Sequence, residues 1–242
     1  MHQRPSPVAA LITAALILAP LASASAQPAD DQRLSHALTS LQPQRTGTVD
    51  AYVVVIALDS DPVFSREARE AGRVLASRFD AAGRTIVLAN EEGASKTDGR
   101  GSPQTLATAL RRAAELMDRN EDVLILYSTS HGAPDAGLVY KNEQGASGLV
   151  SPGQLAEKLR SLGIRNRLLI LQACFAGQFI PALKDAHTII VTAAASDRTS
   201  FGCQAGNDWT FFGDALINHA LRQPLPFDVQ VRRAMALIGA AE

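Results

Sequence analysis

Apolar residues along this chain fall into short continuous runs separated by amphipathic stretches, and the two kinds of segment alternate. Ala51–Leu58 (AYVVVIAL) is rich in β-branched residues and carries no charge, the pattern of a strand buried on both faces. Phe64, Ala68, Ala71, Leu75 and Phe79 recur at helical spacing with Arg and Glu between them, which predicts an amphipathic helix. Thr85–Ala89 predicts a second strand after Gly83. Ser102-Pro103 opens a helix to about Met117: the serine caps first-turn amides, and proline at the first helical position gives up an N–H that has no partner anyway. Val123–Tyr127 reads as a third strand. Ser151-Pro152, with Gln154 placed for a capping box, starts a helix ending near Gly163. Leu168–Leu171 and Thr188–Val191 are the fourth and fifth strands, and helices are predicted over about 208–221 and 228–238. Such alternation implies an α/β domain over 49–242, with a parallel sheet covered on both faces.

The residues ahead of that domain read differently. Residues 1–26 have the form of a signal peptide: His2 and Arg4, an uncharged apolar run from Val8 to Ala19, Pro20, then the small residues Ala24-Ser25-Ala26. The run is well short of the roughly 20 residues that span a bilayer, so no stable membrane anchor is expected. Secretion or a periplasmic location is. Residues 27–48 form a polar segment in which Leu34, Leu38 and Leu41 suit a tail or a short docking helix.

Charge changes the picture little. The 242 residues carry a formal net charge of -1, which gives no general pull toward nucleic acid or an anionic membrane. The two cysteines change it more. A domain of this size needs no disulfide staple, so Cys174 and Cys203 each call for a reason: pairing with one another, or chemistry.

In parallel α/β sheets, chemistry gathers at the carboxyl ends of the strands. After the third strand comes Ser128-Thr129-Ser130-His131-Gly132, and after the fourth Gln172-Ala173-Cys174-Phe175-Ala176-Gly177. If those strands are neighbours, His131 and Cys174 meet above one sheet edge, a thiol beside an imidazole able to take its proton. A helix starting after Cys174 would favour the thiolate. Gly132 allows close backbone approach, so its N–H and that of Cys174 could hold an oxyanion. The plainer alternatives are a buried cysteine acting as a small hydrophobe and a solvated loop histidine.

These segments resemble the legumain-type cysteine peptidase family, which includes the glycosylphosphatidylinositol-anchor transamidase subunit and shares a clan with the caspases. The resemblance rests on YSTSHG at 127–132, LQACFAG at 171–177, TAAASDRTSFGC at 192–203 and WTFFGDAL at 209–216. It implies a caspase-like α/β/α sandwich with a mostly parallel sheet of about six strands. It also implies acyl transfer through a thioester on Cys174, with His131 as general base and then acid. By the same analogy, Thr199 or Ser200 and Asp214 fall where the family lines its S1 pocket, and the basic residue of that pocket falls on Arg66; a helix-N-terminal charge is the other reading of Asp214. Cys203 matches a position that is not the nucleophile. Gln172 stands where legumains carry glutamate, and Ser130 where eukaryotic members carry aspartate before the histidine.

The resemblance points to an endopeptidase acting on a peptide or protein. A transpeptidase on the same dyad, or a caspase-like module that only binds peptide, are the alternatives. No metal or cofactor is expected, because the histidines show no ligand spacing and no glycine-rich phosphate loop follows a strand. The loops 91–101 and 141–148 read as mobile surface segments or as edges of the substrate cleft. The sequence carries no signal for oligomeric state.

Overall fold

The computed structural model of the chain describes residues 26–90 and 97–241, together with His2. The signal peptide expected over 1–26 therefore lies outside the described residues, apart from His2 and Ala26.

Helix α1 (Ala26–Ser40) leads into strand β1 (Ala51–Ala57), helix α2 (Pro62–Arg78), strand β2 (Thr85–Ala89) and helix α3 (Pro103–Leu116). Strand β3 (Val123–Thr129) continues into β4 (Gly132–Ala133), β5 (Gly137–Lys141) and β6 (Ser147–Val150). Helix α4 (Pro152–Ser161) and strand β7 (Asn166–Gln172) follow, then a 3-10 turn (Ala176–Phe179), helix α5 (Ile180–Leu183) and strand β8 (Thr188–Thr192). Helix α6 (Phe211–Gly213) runs directly into a π-helical stretch (Asp214–Ala220), and α7 (Phe227–Ala241) comes last.

Both serine caps form as the sequence predicts: Ser102 closes a capping box with Thr105, and Ser151 one with Gln154. The main sheet has the order β2-β1-β3-β7-β8, and every pairing in it is parallel. β1 explains the layering. Tyr52, Val54 and Ile56 face one apolar layer with α1, α3 and α4, while Val53, Val55 and Ala57 face another with α2, the π-helical stretch and α7. Every β1 side chain is buried, and each Val or Ile so placed contributes about 1.5–3 kcal/mol. The result is the expected α/β/α sandwich.

The main sheet holds five strands among the described residues, where about six are expected. β4, β5 and β6 instead form an antiparallel ribbon that the sequence reading lacks. The ribbon stands on the carboxyl ends of β1 and β3: Lys141 N–H donates to Leu58 O at 3.1 Å, and Val139 N–H to His131 O at 2.9 Å. Its hairpin turn, closed by Asn142 N–H on Ala146 O at 2.9 Å, occupies the segment read as a mobile surface loop or an edge of the substrate cleft. The described part of the other loop is residues 97–101. It lies along the outer edge of β2, with Asp98 N–H on Val87 O and Ala89 N–H on Gly99 O.

The polar 27–48 segment contains α1 as a docked helix, with Leu34, Ala37 and Leu38 against the core and Leu41 buried. Arg100 ties it down through an ion pair with Asp30. Glu67, read as a polar residue between the apolar positions of α2, is fully buried. The Tyr127 hydroxyl donates to it at 2.6 Å, and Thr210 donates from Oγ1 at 2.7 Å and from its N–H at 3.1 Å. Three donors make the burial of a carboxylate tolerable.

Candidate active site

β3 and β7 are neighbours, and their last paired residues are Thr129 and Gln172. His131 and Cys174 each lie two residues beyond that pair, on the same edge of the sheet. Ser130 N–H extends the ladder by donating to Gln172 O at 3.1 Å. Gly132 then presses on the cysteine itself: a Cβ there would lie 1.9 Å from Cys174 O and 3.1 Å from Cys174 N. Only glycine admits that approach, and it brings together the two residues whose amides are expected to hold an oxyanion.

The imidazole and the thiol have separate hydrogen-bond partners. His131 Nε2 lies 3.1 Å from Asp61 Oδ2, and its ring stands edge-on to Phe64, 5.0 Å between centroids. Cys174 Sγ receives the Ser200 N–H at 3.3 Å and donates to Ser200 O at 3.7 Å. Both groups are partly exposed.

The helix predicted directly after Cys174 is reduced to a four-residue 3-10 turn and the four-residue α5, entered through Phe175 at φ 59°. A helix so short supplies little macrodipole. The amide that faces the sulfur is that of Ser200, delivered by the loop after β8. Phe175 N–H on Arg198 O at 2.8 Å pins that loop to the cysteine turn.

Of the residues expected to line a substrate pocket, Ser200 touches the cysteine and Thr199 is exposed beside it. Gln172 is fully buried, accepting the Thr129 hydroxyl at 2.9 Å and donating to Cys203 Sγ at 3.7 Å, so its amide is engaged within the protein. Arg66 donates to the carbonyls of Ala205 and Asn207 and holds the 205–208 loop against α2. Asp214 bonds along its own helix, accepting from Asn218 at 2.8 Å and lying 3.4 Å from His219 Nε2. The structure thus gathers His131, Gly132, Cys174 and Ser200, and gives Arg66 and Asp214 partners elsewhere.

Both cysteines are free thiols. Burial pushes the Cys203 thiol up to about 11; the Gln172 amide opposes that shift and the nearby Cys174 adds to it. Burial likewise raises Asp59, which sits behind Asp61, against the favourable Asp61 N–H bond and the His131 charge. Asp61 and Phe64 escaped sequence reasoning. The signal available was position: Asp59 and Asp61 stand just past the end of the first strand, where chemistry is expected.

Such a set can pass a proton from sulfur to imidazole, attack a carbonyl and hold the resulting oxyanion on backbone amides. The sequence model of the Peptidase C13 family matches residues 102–232. No curated protein matches the chain. Among solved structures, caspase-1 from Spodoptera frugiperda is similar over 82% of this chain and 83% of that one, at 15% identity and a TM-score of 0.49.

Proposed function

The chain belongs to the Peptidase C13 family, and from that premise we propose that it is an exported endopeptidase with Cys174 as nucleophile and His131 as general base. A cysteine-peptidase function follows from the family. The assignment to this dyad is supported by one observation above the others: both residues stand two positions past the Thr129–Gln172 pair that ends adjacent parallel strands.

His131 takes the thiol proton, and the thiolate attacks the scissile carbonyl. The oxyanion is held by the amides of Cys174 and Gly132, and His131 returns the proton to the departing amine. Water, deprotonated by His131, then hydrolyses the thioester. The substrate is a peptide or protein. Export is supported by the uncharged run from Val8 to Ala19 and the Ala24-Ser25-Ala26 site. No helix among the described residues is long and apolar enough to cross a membrane.

The test is Cys174→Ala. Mature protein should cleave a peptide library and bind a thiol-directed peptide probe, and the variant should do neither. Cleavage that survives in Cys174→Ala refutes the assignment.

A further inference from the structure

We infer that Asp61 is the positioning residue of this site: its carboxylate holds the His131 ring with Nε2 protonated, which makes Nδ1 the nitrogen that receives the Cys174 proton. The inference rests on the proposed dyad and extends it to a third strand end.

An ionised carboxylate only accepts hydrogen bonds, so the nitrogen facing it must carry the hydrogen. With Asp61 Oδ2 3.1 Å from Nε2, the lone pair is left on Nδ1. The proton taken from Sγ goes to Nδ1, the imidazolium formed is faced by the Asp61 carboxylate, and the same proton later leaves on the amine. Asp61 itself gains and loses nothing.

Three features set this contact apart from an incidental surface ion pair. Asp61 occupies the N-cap of α2, ahead of Pro62, where an aspartate normally accepts a first-turn amide; here its side chain caps nothing. The turn from β1 to α2 that carries it is held at both Asp61 and Leu58. Asp61 N–H donates to the buried Asp59 Oδ1 at 3.1 Å, Leu58 N–H to Thr129 O at 3.1 Å, and Lys141 N–H to Leu58 O at 3.1 Å. Phe64, one turn into α2, closes the ring from its edge at 88°. Asp59 and Lys141 are the other charged groups nearby, and the Asp59 carboxylate is already engaged by the Asp61 amide. The topology suits the role as well. The strand order turns between β1 and β3, the kind of switch point where α/β sheets bind ligands, and Asp61 and His131 follow those two strands.

The experiment compares Asp61→Asn and Asp61→Glu with the parent protein on a peptide that it cleaves, with 15N shifts of the His131 ring read alongside and assigned from the His131→Asn spectrum. Asp61→Asn should lower kcat about 10- to 100-fold with KM within about twofold, and Asp61→Glu should recover most of that loss. The parent ring should show a protonated Nε2 and an unprotonated Nδ1, a preference that Asp61→Asn abolishes. If Asp61→Asn keeps the same tautomer, the inference is overturned, whatever happens to kcat. If the parent cleaves no peptide, the endopeptidase reading falls, and the ring shifts alone decide for or against Asp61.

Discussion

The contact between Gly132 and the cysteine backbone makes Gly132→Ala the sharpest single perturbation of this molecule. The added methyl would sit 1.9 Å from Cys174 O and 2.9 Å from its carbonyl carbon, and side-chain carbons are essentially never found within 3.0 Å of another heavy atom. The two turns must therefore part by more than 1 Å, and neither yields easily. Val139 N–H holds the His131 carbonyl from the ribbon, and Gln178 Nε2 bridges from the cysteine turn to Ala133 O at 3.0 Å. Forced overpacking of this kind costs about 1–3 kcal/mol. For a chain of this size each 1 kcal/mol lowers the melting temperature by roughly 2–4 °C. Because alanine keeps the backbone N–H, lost activity reports displacement, and a 1 Å misplacement at a reacting centre can cost about 100-fold in rate. Gly153→Ala is the control: a Cβ there meets nothing within 4 Å, and it lies in the first turn of α4. Thermal unfolding and peptide cleavage, read on both variants, decide the matter. A Gly132→Ala protein that melts with the parent and keeps kcat within about threefold would refute the idea that this approach aligns the site.

Two further outcomes follow from the buried groups. Since the Cys203 thiol is pushed up to about 11, at pH 8 only about one molecule in a thousand carries it as thiolate. Brief iodoacetamide treatment of folded protein should therefore add a single adduct, mapped by peptide mass spectrometry to Cys174, and rapid labelling of Cys203 would contradict the buried placement. Tyr127→Phe removes the 2.6 Å donor from the buried Glu67 and should cost about 1–3 kcal/mol of stability. Burial holds the Glu67 pKa above its unfolded value, so the proton-linked part of its stability is complete below the unfolded pKa and is lost as pH rises through the folded one. The Tyr127 bond opposes that rise, so the deficit of Tyr127→Phe, followed by denaturant unfolding, should widen with increasing pH. A deficit that narrows would reverse the reasoning.

How much of this was legible depended on whether a residue's environment is local. Ser102 and Ser151 act within four residues of themselves, and their caps were readable without any fold. Strand β1 was equally plain, because seven buried apolar positions in a row suit little except a strand covered on both faces. The ribbon was not. β4 has two residues and β6 leaves three of its four residues exposed, so neither carries a periodic signal. Glu67 was misread because its partners, Tyr127 and Thr210, lie far along the chain and only the folded layers bring them to it. Asp61 went unnoticed for the same reason: its use depends on β1 lying beside β3. His131 and Cys174 could be singled out because strand ends are where side chains escape the sheet, but their adjacency needed the β3–β7 pairing.

The sheet also orders the groups that it presents. Read across its carboxyl edge, β1, β3, β7 and β8 are followed by Asp61, His131, Cys174 and Ser200, and the contacts run in that sequence: carboxylate to imidazole, histidine turn to cysteine turn, thiol to amide. Neighbouring strands lie about 4.8 Å apart, so short polar side chains on successive strand ends come within one or two hydrogen bonds of each other. A parallel sheet with every strand pointing the same way delivers all four to one edge. Were any one of these strands antiparallel to the rest, the residue that follows it would emerge at the opposite edge of the sheet. The all-parallel pairing from β1 to β8 is therefore what the proposed chemistry requires of this fold, and the ribbon braces two of those strand ends through Lys141 N–H on Leu58 O and Val139 N–H on His131 O.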